Sequence, residues 1–443
     1  MFDFLKKNMN NTVELEEKPL EYWEAQSYMS VIPKDSSKYV LNEESLKRVE
    51  LLEDVEVKEV SLPIAEEGRP GLLVIEYEGE EFGMGFYYDH FQMGDIYEYQ
   101  AQFFTEEEMK SIEDADMALT CFMSFHEDAI KSYKLQLKIL TALMPDALAY
   151  EDESAEKLLN KRWVELMVAS KVNPEAMSLY SVQAVFSEDQ DVWLHTHGLA
   201  RCGLSELEIL NSDREHYNSH YEIISSFASR MLDLQFNMNE EYVLLGKYIN
   251  GDPIVVTKRI WPLGIKEYEP YILGTAKDRE YSHNTKSSLI FLYNSKEDVN
   301  RNRIHKIEEM NKLLEENPIF FYSRQETARM RDIARERFHY VKRIMDRKDS
   351  DNSIVLLKLG LLVDDAKESD ELEHIWFELL EIKDDKFLVK LTQEPYNISH
   401  LHEGDEVECT IEDVTDWLIY GDKGRINPDM AYILDLDGNT SSD

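Results

Sequence analysis

Hydrophobic residues recur with two different periods along the first 236 residues, so that predicted strands and helices alternate. Period two in "SYMSVIP", which starts at Ser27, predicts a strand, and period 3.6 in "EDAIKSYKLQLKILTALM", which starts at Glu127, predicts an amphipathic helix. Capping boxes mark helix starts, as where Ser323 precedes Glu326 by three residues. The pattern predicts an α+β fold, in which helices flank a mixed or antiparallel sheet and a small all-β C-terminal domain follows.

Changes in this pattern divide the chain into five parts. A polar lead-in occupies residues 1–36, and the alternating α+β domain occupies 37–236. Residues 237–348 are expected to form β-hairpins and two helices that pack on the preceding domain, because β patterns with an Asn-Gly turn give way to two helical patterns. Short strands joined by polar turns predict a small β domain at 349–436, and residues 437–443 are expected to form a frayed tail.

The charge balance limits the classes of partner. The chain has 89 Asp and Glu against 48 Lys and Arg, a formal net charge of -41, which repels nucleic-acid phosphates and anionic membranes. The longest apolar run is too short to span a bilayer, so we expect neither a nucleic acid nor a membrane as partner. Three separated cysteines without a CxxC pair are typical of a protein of the reducing cytoplasm. The acidity suits a basic protein partner, although many cytoplasmic proteins have acidic surfaces without one.

One predicted helix, residues 324–348, is strongly basic in this acidic chain. Nucleic acid is one candidate partner for such a helix. Docking on an acidic face of the same chain is the favoured interpretation, because an intramolecular partner costs no association entropy.

The stretch "WLHTHGLARCGLSELEIL", residues 193–210, has the grouping of side chains that looks most like chemistry. Strand alternation places Trp193 and both histidines on one face. If "GLARCG" is the turn of a hairpin, symmetric counting sets His195 opposite Glu206 and Trp193 opposite Glu208. A His–Glu pair across two strands suits a general base, and it suits simple sheet pairing equally well.

Four histidines in this region form two pairs with spacings that suit a metal ion. His195 and His197 share a strand face, and His216 and His220 are an i,i+4 pair on the helix predicted to follow. A zinc-dependent hydrolase that uses these four residues is therefore an alternative function. The helical pair lacks the glutamate of an HExxH motif, and histidines that only line a sheet and a helix surface explain the same pattern.

The C-terminal domain offers a third kind of site, which is built from aromatic residues. Trp376 and Trp417, together with Asp416, suit a groove for a small ligand, as in a metabolite-sensing module. The same residues suit structural roles, with two tryptophans in a small core and a carboxylate that holds a turn.

This C-terminal segment, about residues 354–434, resembles a small bacterial domain known as domain of unknown function 2314. The shared pattern is an acidic-His-x-Trp strand, a Glu-Pro turn, a Gly-Asp turn and a closing Asp-Trp. The matching positions are Glu373, His374 and Trp376, Glu394 and Pro395, Gly404 and Asp405, and Asp416 and Trp417. Gln393 stands where that family commonly has Asn.

The preceding region resembles the bacterial family known as domain of unknown function 4026. The resemblance lies in "HTHGLARCGLSELEI", which carries a Thr-x-Gly-Leu...Gly...Glu-Leu-Glu-Ile signature. The signature positions are Thr196, Gly198, Leu199, Gly203, Glu206, Leu207, Glu208 and Ile209. The resemblance implies no activity or cofactor, and it leaves the histidines and Cys202 outside the signature, which weakens the case for metal or nucleophilic chemistry.

Taken together, these observations favour a non-enzymatic, cytoplasmic binding or interaction protein without a cofactor. An immunity or accessory factor for a basic toxin is one such role. The zinc hydrolase and the small-molecule-sensing module are the alternatives. Candidate binding residues are His195, His197, Glu206, Glu208, Trp376, Asp416 and Trp417.

Overall fold

Three β-sheets with flanking helices make up the protein. The computed structural model describes residues 25–188, 191–233, 242–279, 287–347, 353–368 and 371–440. Within these residues the sheets have seven, seven and six strands and follow one another along the chain. The predicted α+β class is confirmed, and the C-terminal region is mostly strands. None of the helices in the described ranges is long and apolar enough to cross a membrane.

The first sheet has the strand order β2-β3-β4-β5-β1-β6-β7 and is antiparallel throughout. Its elements are β1 Ser27–Pro33, α1 Glu43–Lys47, β2 Val55–Ser61, β3 Gly71–Tyr77, β4 Glu80–His90, α2 Glu106–Glu113, β5 Met117–Met123, α3 Ala129–Leu143, β6 Ala147–Asp152, β7 Lys157–Asn160 and α4 Lys161–Ala169. Alternation along β1 sends Val31 to the core beneath α3 and Ile32 to a smaller core beneath α2. Both faces of β1 are therefore buried in this part of the sheet.

The second sheet is mixed, because β10 and β13 run parallel while the other neighbours are antiparallel. Its order is β14-β11-β12-β13-β10-β9-β8. The elements are β8 Ser181–Phe186, β9 Asp191–His197, β10 Glu206–Asp213, α5 Tyr217–Met231, β11 Val243–Lys247, β12 Pro253–Ile260, α6 Trp261–Gly264, β13 Ser287–Tyr293, α7 Lys296–Arg301, α8 Asn311–Leu314 and β14 Ile319–Phe320. Helix α5 covers the face that carries Leu194 and Ile209, whereas Trp193 and Leu210 pack with Trp261 on the other face.

The third sheet is antiparallel with the order β18-β17-β16-β15-β19-β20. Its elements are α9 Arg324–Glu336, α10 Phe338–Met345, β15 Ile354–Leu362, β16 Leu372–Lys383, β17 Lys386–Leu391, β18 Glu406–Cys409, β19 Val414–Gly421, β20 Gly424–Ile426 and the 3₁₀ segment Pro428–Thr440. Residues 428–435 of that segment are called the C-terminal strap below. The strap packs on both α4 and α9, and so connects the third sheet to the first.

The predicted basic helix forms two helices, because Arg337 has a backbone conformation (φ -94, ψ 11) that interrupts the helix between α9 and α10. The prediction that it docks within the same chain is confirmed. Arg337 donates to the Pro428 carbonyl at 2.8 Å, and Arg343 donates to Asp435 at 3.0 Å. The fully buried Trp417 of β19 donates its indole N–H to the Ala334 carbonyl at 3.0 Å, which fixes α9 against the third sheet.

A buried ion pair joins the second sheet to the first. Arg201 lies in the turn after β9, and its guanidinium donates to both carboxylate oxygens of Asp152 at 2.7 Å. The two side chains are 1% and 0% exposed. Arg201 also donates to the Ser27 hydroxyl at 3.0 Å and to the Leu179 carbonyl at 2.7 Å. Such a bidentate pair fixes both distance and orientation between the sheets.

We expect Arg201→Leu to lower the free energy of unfolding by about 3–5 kcal/mol, because it leaves the Asp152 charge buried without its partner. Urea denaturation followed by circular dichroism measures the change. Arg301→Leu, which breaks an exposed pair with Glu297, is the control and should cost about 1 kcal/mol or less. Equal effects of the two substitutions would contradict a structural role for the buried pair.

Candidate functional site

The β9–β10 hairpin has a different register from the predicted one. His195 lies opposite Glu208, and Leu194 lies opposite Ile209. The predicted pairing of His195 with Glu206 is therefore wrong by two residues. The connection between the strands includes Leu204 and Ser205 as well as "GLARCG", which moves its centre toward β10. A shift of two preserves the faces, so Leu194 and Ile209 still point to the main core.

The Glu206 carboxylate is bound inside the hairpin itself. It accepts hydrogen bonds from the Thr196 hydroxyl at 2.6 Å and from the backbone N–H groups of Gly198 at 3.0 Å and Ala200 at 2.9 Å. Burial raises the pKa of Glu206 to about 7, although these hydrogen bonds favour the charged form. The residue holds the turn that presents Arg201.

Glu208 is the partner of a buried arginine. Arg279 donates to Glu208 Oε1 at 2.9 Å and also bonds Oε2, and the Trp193 indole N–H donates to Oε2 at 2.8 Å. The Arg279 guanidinium lies 4.8 Å from the Trp193 ring centroid and 4.6 Å from that of Trp261. These contacts make Glu208 part of an interior ion pair beneath two tryptophans.

The sheet separates the two histidine pairs. The His195 ring lies between the rings of Trp193 and His197, with centroids 4.8 and 4.9 Å away, on the face that packs against Trp261. His220 lies on α5, over the opposite face, where its ring nitrogens contact Ser212 Oγ at 2.7 Å and Asn311 Oδ1 at 2.8 Å. The structure therefore does not bring together the four residues of the zinc alternative.

Within the described residues, one set of three potential metal ligands meets, at Glu215, His216 and Glu315. The His216 ring contacts Asp213 through Nδ1 at 2.8 Å and Glu315 through Nε2 at 2.6 Å. Burial alone would lower the pKa of His216, but the hydrogen bonds to these carboxylates raise it above its usual value. In its protonated form the ring donates from both nitrogens and so links the start of α5 to the end of α8.

The C-terminal candidates do not form one groove. Trp417 pairs with Leu357 and Trp376 pairs with the next residue, Lys358, so the two tryptophans lie on opposite faces of the third sheet. Trp417 is in the core, and Lys358 lies over the Trp376 ring at 5.4 Å. Asp416 differs from both, because it lines a cleft between domains.

That cleft has a volume of about 580 Å³ and lies where the three sheet-containing parts of the chain meet. Its walls come from residues 172–177 after α4, from α5, from residues 320–323 after α8, from α9, and from Asp416 and residues 427–429. It is called the junction cleft below. Tyrosines, methionines and phenylalanines provide apolar surface, and serines and carboxylates provide hydrogen-bonding groups.

Acidic side chains outnumber basic ones around the junction cleft. Among the described lining residues there are seven carboxylates and two arginines. Arg329 is already neutralised, since it makes two 2.8 Å hydrogen bonds to Glu326 and two 2.9 Å hydrogen bonds to Asp429 of the strap. The cleft therefore has a negative field with little free positive charge to oppose it.

Comparison with protein families assigns all three parts of the chain. Residues 27–174 match "Protein of unknown function (DUF4026) N-terminal", residues 182–291 match "Protein of unknown function (DUF4026) C-terminal", and residues 325–427 match "Uncharacterized protein conserved in bacteria (DUF2314)". The chain belongs to the DUF4026 family, with a DUF2314 domain after it. The resemblance seen in the sequence is thereby confirmed. Searches of curated proteins and of solved structures gave no match.

All three DUF segments contribute to the junction cleft. The DUF4026 N-terminal segment supplies residues 172–174, the DUF4026 C-terminal segment supplies α5, and the DUF2314 domain supplies α9 and Asp416. Residues 175–177 and 428–429 lie between or beyond the matched segments. The cleft therefore forms only when the DUF4026 and DUF2314 domains pack together.

Two carboxylates at the junction cleft of this DUF4026 protein have raised pKa values. Burial, followed by the negative charge of Asp429, raises the pKa of Glu175 to about 7. Burial also raises the pKa of Asp416 to about 6, against the effect of its hydrogen bond from the Trp417 N–H. A raised carboxyl pKa means that the charged form is under-stabilised, and a bound cation would relieve this.

Sequence reasoning missed Arg201, Glu175 and Asp429. The sequence did indicate a role for Arg201, which is the single charged residue of the glycine turn "GLARCG". A charged residue in a buried turn requires a partner. Glu175 and Asp429 lie in connecting segments without periodicity. Only the packing of distant segments brings them to Arg329.

His216 should make stability depend on pH. Because its folded-state pKa is raised, the stabilisation is fully present below the unfolded pKa, about 6.5, and is lost as pH rises through the folded value. His216→Gln should therefore lower the melting temperature more at pH 5.5 than at pH 9. The exposed His339, changed to Gln, is the control and should give the same small shift at both pH values. A pH-independent effect of His216→Gln would contradict the ion-pair assignment.

Proposed function

We propose that this protein is a non-enzymatic binding protein whose ligand occupies the junction cleft. The observation that carries the proposal is a cleft of about 580 Å³ walled by both DUF4026 segments and the DUF2314 domain. Ligand sites are commonly clefts of about 300–1,000 Å³ and occur preferentially at domain interfaces. Both the size and the position of this cleft fit that description.

The lining favours binding over group transfer. Serine hydroxyls, carboxylates and aromatic rings converge, which suits orientation of a ligand by hydrogen bonds on an apolar surface. Among the described lining residues there is no histidine, cysteine or lysine to act as a nucleophile or to activate a serine. Binding is the function that these groups support best.

A ligand in the cleft would act on the assembly of the domains. It would contact all three matched segments at once, and a ligand that binds the folded state alone stabilises it by mass action. A basic protein, such as a toxin that an immunity or accessory factor neutralises, is one source of such a ligand, and the net charge of -41 would favour its approach.

A small-molecule-sensing role is the second candidate. The observation that favours it is the position of Asp416, a residue of the DUF2314 domain, on the wall of the same cleft. Occupancy of the cleft by a metabolite would then change how tightly the DUF2314 domain packs on the DUF4026 domains.

Ser226→Trp tests whether the cleft is the binding site, because an indole at this α5 position fills part of the cleft. Wild type, this variant and the control Ser111→Trp, on the exposed surface of α2, are incubated with bacterial extract, re-isolated and examined by mass spectrometry for retained species. We expect a species that wild type and the control retain and that Ser226→Trp loses. Identical retained species in all three proteins would contradict the proposal.

A further inference from the structure

We propose that the junction cleft takes an organic cation, an ammonium or guanidinium group on an apolar stem, with Glu175 and Asp416 as its carboxylate partners. This inference rests on the proposed function and names the chemistry of the ligand. Three features support it. The Glu175 carboxylate has no direct partner among the described residues, an Asp416 oxygen faces the cleft without a hydrogen bond from them, and two tyrosines line the same cleft.

Arg329 is fully engaged by carboxylates at the cleft, whereas Glu175 is not engaged by a cation of any described residue. The Arg329 side chain is only 9% exposed and makes four hydrogen bonds, two to Glu326 and two to Asp429. No hydrogen bond or ion pair with a described residue engages the Glu175 carboxylate. The Lys157 ammonium, whose field acts on Glu175, donates to the Met177 carbonyl at 2.5 Å, and burial lowers the pKa of this lysine to about 8. The negative charge of Glu175 is therefore not neutralised by direct contact with a described side chain.

Asp416 lies on strand β19 and not on a surface loop. The residue is 8% exposed, and one carboxylate oxygen accepts the Trp417 N–H at 2.8 Å. Its second oxygen has no hydrogen-bond partner within the described part of the chain, although the charges of Lys358, which lies opposite it in the sheet, and of Arg329 act on the carboxylate. The residue lines the cleft. A donor group of a ligand in the cleft can complete the hydrogen bonding of this carboxylate. A charged N–H donor satisfies both its charge and its hydrogen bond.

The Tyr322 side chain lies within the electrostatic field of several carboxylates. Although the residue as a whole is 69% exposed, desolvation of the Tyr322 hydroxyl raises its pKa, and nearby negative charges raise it further. The charges belong to Glu326, Asp416, Glu222 and Glu175. Glu175 and Asp416 thus both act on the Tyr322 hydroxyl, although they come from distant segments of the chain.

A cation beside these residues can interact both with the carboxylates and with the face of an aromatic ring. The faces of Tyr322 and Tyr221, which both line the cleft, attract a cation through their ring quadrupoles. Met177 and Met330 provide apolar surface for the stem that carries the charge. An amine or guanidinium with an aliphatic stem matches these features together.

An anionic ligand would meet the opposite situation. The two arginines that line the described cleft are Arg230, which has Asp233 at 3.4 Å, and Arg329, which Glu326 and Asp429 hold. An anion would have to displace a carboxylate from one of them and would enter a negative field. The contacts in the cleft therefore select for positive charge.

The same head group has two possible sources, a free amine or a lysine or arginine side chain of a protein. Isothermal titration of the full chain with agmatine represents the first source, and titration with an end-blocked Gly-Arg-Gly peptide represents the second. The corresponding peptide with citrulline in place of arginine is the neutral control, since it keeps shape and removes charge. Succinate is the anionic probe.

We expect binding of agmatine or of the arginine peptide, at least about tenfold weaker binding of the citrulline peptide, and no binding of succinate. Glu175→Gln and Asp416→Asn should each weaken binding of the cation about tenfold or more. Glu66→Gln and Asp385→Asn remove the same charge at exposed positions outside the cleft and should leave the affinity within about twofold. Thermal unfolding of each variant verifies that it is folded.

The outcomes separate this inference from the proposed function. No binding of either cation, equal binding of citrulline, or equal losses in the cleft and exposed variants would overturn the cation assignment. Binding of succinate that Ser226→Trp abolishes would overturn it as well, yet would support the cleft as a ligand site. Cation binding that Ser226→Trp leaves unchanged would overturn both.

Discussion

The ion pair between Arg201 and Asp152 is the constraint on which the arrangement of the DUF4026 domains depends. Neither charge is exposed, so each requires the other, and the bidentate geometry allows little freedom between the two sheets. The same guanidinium holds the Leu179 carbonyl at 2.7 Å, in the segment that leads from α4 to β8. That segment includes residues 172–177, so the pair also positions one wall of the junction cleft.

The family signature around this pair is explained by backbone geometry. Gly198 has φ +111, and a Cβ atom there would lie 2.4 Å from the Leu179 carbonyl oxygen, so a larger residue would push the two segments apart. Glu206 binds the N–H groups of the same turn. The glycine and the glutamate therefore present Arg201 to Asp152, and the neighbouring histidines take no part in this contact.

Local patterns predicted the elements of this fold, and contacts between distant residues decide the rest. The strand at Ser27 and the capped helix after Ser323 follow from periodicity and capping alone. The predicted register of the β9–β10 hairpin was wrong by two residues. Both registers place the same residues on each face of the sheet, so alternation does not distinguish them, and the buried contacts of the turn set its length. The cleft could not be predicted from local patterns either, because its lining residues are spread along the chain from Ile130 to Asp429.

Contacts between the domains decide how much positive charge remains available at the junction cleft. Arg329 belongs to a basic helix and pairs with Glu326 of the same helix through two hydrogen bonds. Asp429, which lies just beyond the matched DUF2314 segment, completes its neutralisation through two further hydrogen bonds. The C-terminal strap thus supplies the second carboxylate partner of Arg329 while it packs the DUF2314 domain onto the rest of the molecule. The contact that helps to assemble the domains is therefore also the one that completes the neutralisation of Arg329 at the cleft.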